Sequence, residues 1–385
     1  MPIFGSESGS SRVTMKILEL CLSNGIGGLE LYVVKSCISL SEIDEVIAVV
    51  SGDGIIKKKI DSLPIKIHTL KPKFRKLPLL SANRLAKIID QESIDIIHMH
   101  WNKDLPLAAF AKHLSRRKPS LVVSRHMQMT RSKQDIYHRF LYGQMDRMLN
   151  VTKELSRIAT KNLPPEDAHK SDYLYLGVKE PKHLLSKSEL HTRRAELGIN
   201  PDKFVVGTIG RLEPYKGQHL LIDAASQLKK RGYPIQLLLI GHAMDDDYLI
   251  SLKQKVKENG MADDVIFHDF VDNPQEWMQL CSALALTTIE ETFGLVLIEA
   301  MRAGVAVVGS NRGGVLEIIK PEETGLLFDS GSANSLAKQL QHLMDDRLLR
   351  DRLAEDGKQF ADHEFDEGEH FIKLRKQFNE ILSRA

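Results

Sequence analysis

Short apolar runs of strand length recur along this chain, separated by longer segments with helical periodicity, and that alternation constrains the fold more than any single residue does. The runs fall at 16–22, 46–50, 65–70, 94–99, 121–124, 148–151 and 173–176, then at 204–209, 236–241, 265–270 and 282–287. Strands joined by helical crossovers run parallel, and a parallel sheet needs helices on both faces, so the expected class is α/β. At 385 residues the chain is long enough for two such domains, each with its own core. An apolar fraction of 42% with 27% charged residues is that of a globular chain. No run of 18 apolar residues and no leader pattern is found, so neither a membrane span nor secretion is expected; the expected location is cytoplasmic. Cys21, Cys37 and Cys281 lie far apart in apolar runs and read as buried free thiols.

The most informative stretch is 288–301, TIEETFGLVLIEAM. It links a strand run to an apolar helix that Gly304 closes, which puts Phe293 and Gly294 at a strand-to-helix turn, a position where both are expected to meet a ligand. The first amides of such a helix, near Gly294 and Leu295, have no intrahelical acceptor, and with the helix dipole they favour an anion. Glu291 on the turn and Glu299, expected about two turns inside the helix, suit hydroxyls rather than phosphate. Hydroxyls and phosphate together describe a nucleotide sugar.

The second half opens with a strand run followed by Gly210, Arg211, Pro214, Lys216 and Gly217. Charge that builds on a departing diphosphate must meet fixed donors, and Arg211 and Lys216 supply two cations at this spacing. Asp245, Asp246 and Asp247 precede a helical pattern at 248–257 and read as N-terminal dipole partners rather than metal ligands. A zinc site at His98 and His100 needs further ligands, and none is near in sequence.

Glu291 through Glu299, with Gly-Arg-Leu-x-x-x-Lys-Gly at 210–217 and the glycines at 304, 313, 314 and 325, resembles the E-x7-E pattern of retaining glycosyltransferases of family GT4. The resemblance implies a GT-B fold, two Rossmann-like domains with parallel sheets facing across a cleft. It implies transfer of a hexose from a UDP- or GDP-sugar to a hydroxyl of a carbohydrate or lipid-linked acceptor, in polysaccharide, lipopolysaccharide or glycolipid assembly. Arg211 and Lys216 are assigned to the diphosphate, Glu299 to ribose hydroxyls, and Glu291 to sugar hydroxyls. It also points to Gly241 at a nucleotide-facing turn, to Val271 in a loop whose backbone meets the base, and to the loop of Gly27 and Gly28 after the first strand. His126 is similar to the histidine of the family's Thr-x-His position and is assigned to the reacting site. No metal and no cofactor is expected, since the family's members do not need a divalent ion. Leu176 stands where the family has an asparagine, which removes any amide role there.

The expected organisation is an extension over 1–14, with Met15 a candidate original start, and an acceptor-binding domain over 15–180. A linker over 181–203 with one helix from about 186 to 197, a nucleotide-sugar domain over 204–359 and a terminal helix from 360 crossing back to the first domain complete it. Basic residues outnumber acidic ones over 15–180 and the reverse holds from 181 on, which suits an anionic partner for the first half. The segment 71–80, KPKFRKLPLL, mixes cations with apolar residues and reads either as a solvated basic loop or as a peripheral membrane contact. No nucleic-acid partner is expected. The competing functions are an epimerase or hydrolase of nucleotide sugars on the same fold, and a non-catalytic binding subunit.

Overall fold

The apolar runs form strands, and every pairing between named strands is parallel. This computed structural model describes residues 14–25 and 27–384, so residues 1–13 of the expected extension lie outside it. The chain divides into two units: one runs to Gly177 and resumes at Glu367, and the other spans Val178–Asp366.

In the first unit β1 (Lys16–Cys21), β2 (Glu45–Val50), β3 (Lys66–Thr69), β4 (Ile96–Met99), β5 (Ser120–Arg125), β6 (Arg147–Asn150) and β7 (Ser171–Tyr173) are arranged β3-β2-β1-β4-β5-β6-β7. The order reverses between β1 and β4, and ligands of open parallel sheets bind beyond the strand ends at such a reversal. Alternation sends Leu18, Leu20 and Leu22 into one core with Ile47, Ile97 and Val123, while Ile17, Glu19 and Cys21 are buried against the other face. The strand expected at 173–176 ends at Tyr173, and Leu176 is buried in the segment beyond it.

In the second unit β8 (Phe204–Ile209), β9 (Ile235–Ile240), β10 (Val265–His268), β11 (Ala283–Leu286), β12 (Ala306–Ser310) and β13 (Leu326–Phe328) are arranged β10-β9-β8-β11-β12-β13. The reversal lies between β8 and β11. The loop carrying Arg211 and Lys216 leaves β8, and the loop carrying Glu291 leaves β11, so adjacent strand ends present them together.

Two expected boundaries change. Residues 181–203 pack into the second unit rather than standing apart as a linker: Leu185 and Ile199 are buried with Val205, Leu238 and Leu280, and the expected helix is present as Lys187–Glu196, started by a reciprocal Ser186–Glu189 capping box. The terminal helix is two helices, Arg347–Glu364 and Glu367–Leu382. Phe365 breaks it because its ring is buried against Phe293 and Phe360, and its carbonyl accepts the Val178 amide at 2.8 Å, replacing a helical bond. The second piece belongs to the first unit, where Phe371, Leu374 and Phe378 are fully buried and Arg375 Nε donates to Asp44 Oδ2 at 2.8 Å. Among the described residues no helix is long and apolar enough to cross a membrane, and Cys21, Cys37 and Cys281 are free and buried.

Candidate functional site

Loops from β8 and β11 interlock before any functional side chain is considered. A Cβ on Gly217, whose φ is 71°, would lie 2.3 Å from the Thr287 carbonyl, so only glycine lets the two loops touch. Thr287 Oγ1 donates to the Lys216 carbonyl at 2.8 Å, the Ile289 amide donates to the Tyr215 carbonyl at 3.2 Å, and the Tyr215 hydroxyl donates to the Glu290 carbonyl at 2.6 Å. These bonds set Lys216 Nζ 2.8 Å from Glu291 Oε2, both half-buried. Glu291 is also fixed by its backbone: its carbonyl accepts the Gly314 amide at 2.8 Å, and its Oε1 accepts the Thr292 amide at 3.1 Å.

Arg211 follows Gly210 in the same loop, but its guanidinium goes elsewhere. Nη2 is 3.1 Å from Glu213 Oε1 and the side chain is 52% exposed. Its backbone is tied down by Gln218 Nε2, which donates to the Arg211 carbonyl at 2.9 Å. Gly241, at the end of β9, packs on this turn so closely that a Cβ would sit 1.8 Å from the Gly210 carbonyl oxygen. The structure therefore joins Lys216 to Glu291 directly and leaves Arg211 paired with its neighbour.

Gly294, at φ 106°, starts the helix Leu295–Arg302 without a side-chain cap. Leu297 donates back to Gly294 at 2.9 Å, and the Leu295 and Val296 amides have no acceptor among the described residues. That leaves two donors and the positive end of a dipole beside Glu291 in the chain. Glu299 is half-buried, four residues into this helix, one turn in rather than the two expected, and on the same side as Leu295. One assignment needs correction. The Phe293 ring is 4% exposed and packs edge-on against Phe365 at 5.9 Å, so it belongs to the core and leaves only backbone for a ligand. Val271 packs its side chain on a cluster with Ile240 and Leu280, so any ligand contact there would be through backbone, as the resemblance implies. The aspartates at 245–247 act at a helix start as expected, with Asp245 Oδ1 accepting the Asp247 amide at 3.0 Å.

The remaining sequence candidates lie in the first unit. Gly27 caps the helix Gly28–Leu40 in extended conformation and accepts the Leu31 amide at 3.1 Å; beneath the loop a buried Glu30 accepts the Ser23 hydroxyl. His126 stands just past β5 with its ring 5.0 Å from Tyr32 and 6.1 Å from His100. Burial, with His100, His98 and His370 nearby, holds this imidazole well below its ordinary range, and its Nε2 has no partner. Held neutral, the ring resists taking a proton but can still make a hydrogen bond through Nε2.

Sequence reasoning missed the group behind it. Glu19 is fully buried on β1 and accepts from His98 Nδ1 at 2.9 Å, His100 Nε2 at 2.5 Å and Ser36 Oγ at 2.8 Å. Burial alone would raise its carboxyl, but the two imidazoles and their hydrogen bonds hold it below the usual carboxylate range. His98 Nε2 is hydrogen-bonded to the Ser124 hydroxyl at 2.7 Å, and His100 keeps a buried Nδ1 with no partner. Burial, then the neighbouring His98, depress His100 to about 4. A glutamate inside the run KILELC was the available signal, because a buried carboxylate needs partners. Glu19, His98 and His100 also supply three ligand atoms within 4.8 Å of one another, so the third ligand lacking near His98 in the sequence comes from β1. Nitrogen-to-oxygen separations of 2.5 and 2.9 Å are hydrogen-bond lengths, shorter than the roughly 3.3 Å between two ligands of one tetrahedral zinc.

Comparison with known proteins matches both units. Residues 191–360 fit the model described as glycosyl transferases group 1, and residues 20–156 fit the one described as glycosyl transferase 4-like. The chain is similar to N-acetyl-alpha-D-glucosaminyl L-malate synthase of Bacillus anthracis, 24% identical over 74% of this chain and 75% of that one. It is 32% identical, over 39% of each chain, to the Campylobacter jejuni N-acetylgalactosaminyltransferase whose name specifies a diphospho-undecaprenol acceptor. A crystal structure of Anabaena Alr3699/HepE in complex with UDP and glucose superposes with a TM-score of 0.81 at 25% identity, covering 96% of this chain and 100% of that one. With two parallel α/β units, family models on each, and the Gly-Arg to Glu-x7-Glu pattern at the second sheet's reversal, the chain is a GT-B glycosyltransferase of the GT4 family.

Proposed function

We propose that the enzyme moves a hexosyl group from a UDP- or GDP-sugar to a hydroxyl of a carbohydrate or lipid-linked acceptor, retaining the anomeric configuration, in assembly of a polysaccharide or glycolipid. The observation that carries the reading is the Lys216–Glu291 pair at 2.8 Å, next in the chain to the uncapped helix at Gly294. Lys216 would turn from Glu291 to the outer phosphate when donor binds, joined by Arg211 and by the Leu295 and Val296 amides. Glu291, released from the ammonium, would accept hydrogen bonds from sugar hydroxyls, and Glu299 from the ribose. The bond from the anomeric carbon to the phosphate oxygen breaks, the acceptor oxygen bonds to that carbon from the same face, and the acceptor proton leaves to a phosphate oxygen. On this reading protein cations and amides meet the diphosphate charge, and no metal ion is required. The UDP and glucose in the Anabaena structure support a uridine donor, and the Campylobacter enzyme's name supports a lipid-linked acceptor.

Calorimetry with UDP and GDP, followed by transfer assays with the sugars of whichever binds, tests this. Binding of one nucleoside diphosphate and its release during transfer are expected. Product formed from donor without any acceptor would favour an epimerase or hydrolase, and failure to bind either nucleotide would remove the reading.

A further inference from the structure

The first unit exposes a run of large apolar side chains in the loop after β3 and the start of the helix Leu79–Glu92. Phe74 is 75% exposed and Leu80 82%, with Leu77 and Leu79 also exposed between and beside them. The chain adds a fifth member from far away: Ile136 is 88% exposed, and the hydroxyl of the adjoining Tyr137 donates to the Lys76 carbonyl, holding the two segments together. Single exposed apolar side chains are ordinary, but a cluster of five large ones on tied segments marks a surface that meets something.

Charge around the patch says what. Lys73 and Lys76 lie within it, exposed, and neither has a carboxylate partner among the described residues. The helix Leu79–Glu92 extends the pattern, since Leu80, Arg84 and Lys87 share its exposed face at i, i+4 and i+7 while Ala82, Leu85, Ala86 and Ile89 face the core. The nearby acids are already engaged: Asp53 stands 3.8 Å from Lys71, Asp104 is 3.6 Å from Arg75, and Asp135 is bonded to His138. Exposed apolar side chains interspersed with unpaired cations on the same segments fit the boundary between acyl chains and anionic headgroups. A second copy of the same face would bring like charges together. We propose that this patch docks the enzyme on an anionic phospholipid surface, with Phe74, Leu77, Leu80 and Ile136 inserted and Lys73, Lys76, Arg84 and Lys87 at the headgroups.

Sedimentation with vesicles tests it, using phosphatidylcholine alone and phosphatidylcholine mixed with phosphatidylglycerol. Neither donor nor acceptor is present, so the result stands apart from the function proposed above. The native chain is expected to pellet with the mixed vesicles, to stay in solution with the neutral ones, and to be released by high salt. The double variants Phe74→Ser/Leu80→Ser and Lys73→Glu/Lys76→Glu are each expected to bind at least ten-fold more weakly. Both change exposed side chains, and unchanged melting temperature and nucleotide affinity would show that the fold is intact. A native chain that ignores anionic vesicles overturns the proposal. So do variants that bind as tightly as native, or a native dimer that Phe74→Ser/Leu80→Ser dissociates, which would identify a second copy as the occupant.

Discussion

Lys216 and Glu291 are 75 residues apart in the chain and 2.8 Å apart in the structure, an ion pair that, on the function proposed above, a donor substrate would have to open. Lys216→Ala should lower transfer by roughly 10²–10³-fold, the usual cost of removing one preorganised donor at a developing charge. Nucleoside diphosphate release measures the loss, and an unchanged circular dichroism spectrum shows that folding is not its cause. Full activity in the variant would take Lys216 out of the diphosphate site.

Glu299 should act on binding. Glu299→Gln keeps the size and removes the charge, so calorimetry with the cognate nucleotide should show affinity reduced by roughly ten-fold, the worth of a charge-assisted hydrogen bond at about 1.5 kcal/mol. Affinity equal to native would exclude contact with ribose.

Gly217 should be the most sensitive glycine for the placement of Lys216. Gly217→Ala puts a Cβ 2.3 Å from the Thr287 carbonyl at a backbone angle of φ 71°. A destabilisation of more than about 1 kcal/mol is expected from the strain, with loss of transfer in the molecules that remain folded. Thermal melting and residual activity read the two effects separately.

Acid should weaken the first unit before ordinary carboxylates titrate. His100 and His370 are each depressed to about 4 chiefly by burial, so the unfolded chain binds their protons from about pH 6.5 downward while the folded chain does not. Stability therefore falls as pH drops from about 6.5 to 4, by roughly 2 kcal/mol per imidazole at pH 5. Glu19, held low in the fold, adds a loss of the same sign below about pH 4.5. Urea unfolding at pH 7 and pH 5 measures the slope, and His370→Gln should flatten it. Equal stability at the two values would contradict the burial of these rings in neutral form.

The strands, their parallel sense and the loops holding Lys216 and Glu291 were legible in the sequence because each depends on local pattern: an apolar run, then a turn whose glycines and charges follow directly. What was not legible depends on distant partners. Glu19 meets histidines 79 and 81 residues away, so nothing beside it in the chain distinguishes it from a stray polar residue in a strand. Phe293 was placed at the right turn and given the wrong duty, since only its meeting with Phe365 decides which way the ring turns. The helical pattern runs on through Phe365, and the break there is fixed by the Val178 amide and by Arg302 Nη1, which takes the Val178 carbonyl and lies 3.2 Å from Asp366.

The closing segment Glu367–Leu382 carries a consequence for synthesis on the ribosome. Phe371 stacks on Tyr32 at 6.1 Å and Phe378 meets His98 edge-on at 5.2 Å, so the first unit is finished by residues translated after the whole second unit. The nascent first unit must wait with that seam uncovered while the entire second unit emerges, on the order of 10–40 seconds at 5–20 residues per second. Truncated fragments ending at Gly177 would keep the seam permanently open and should aggregate, whereas supplying the helix Glu367–Leu382 in trans as a peptide should rescue their solubility.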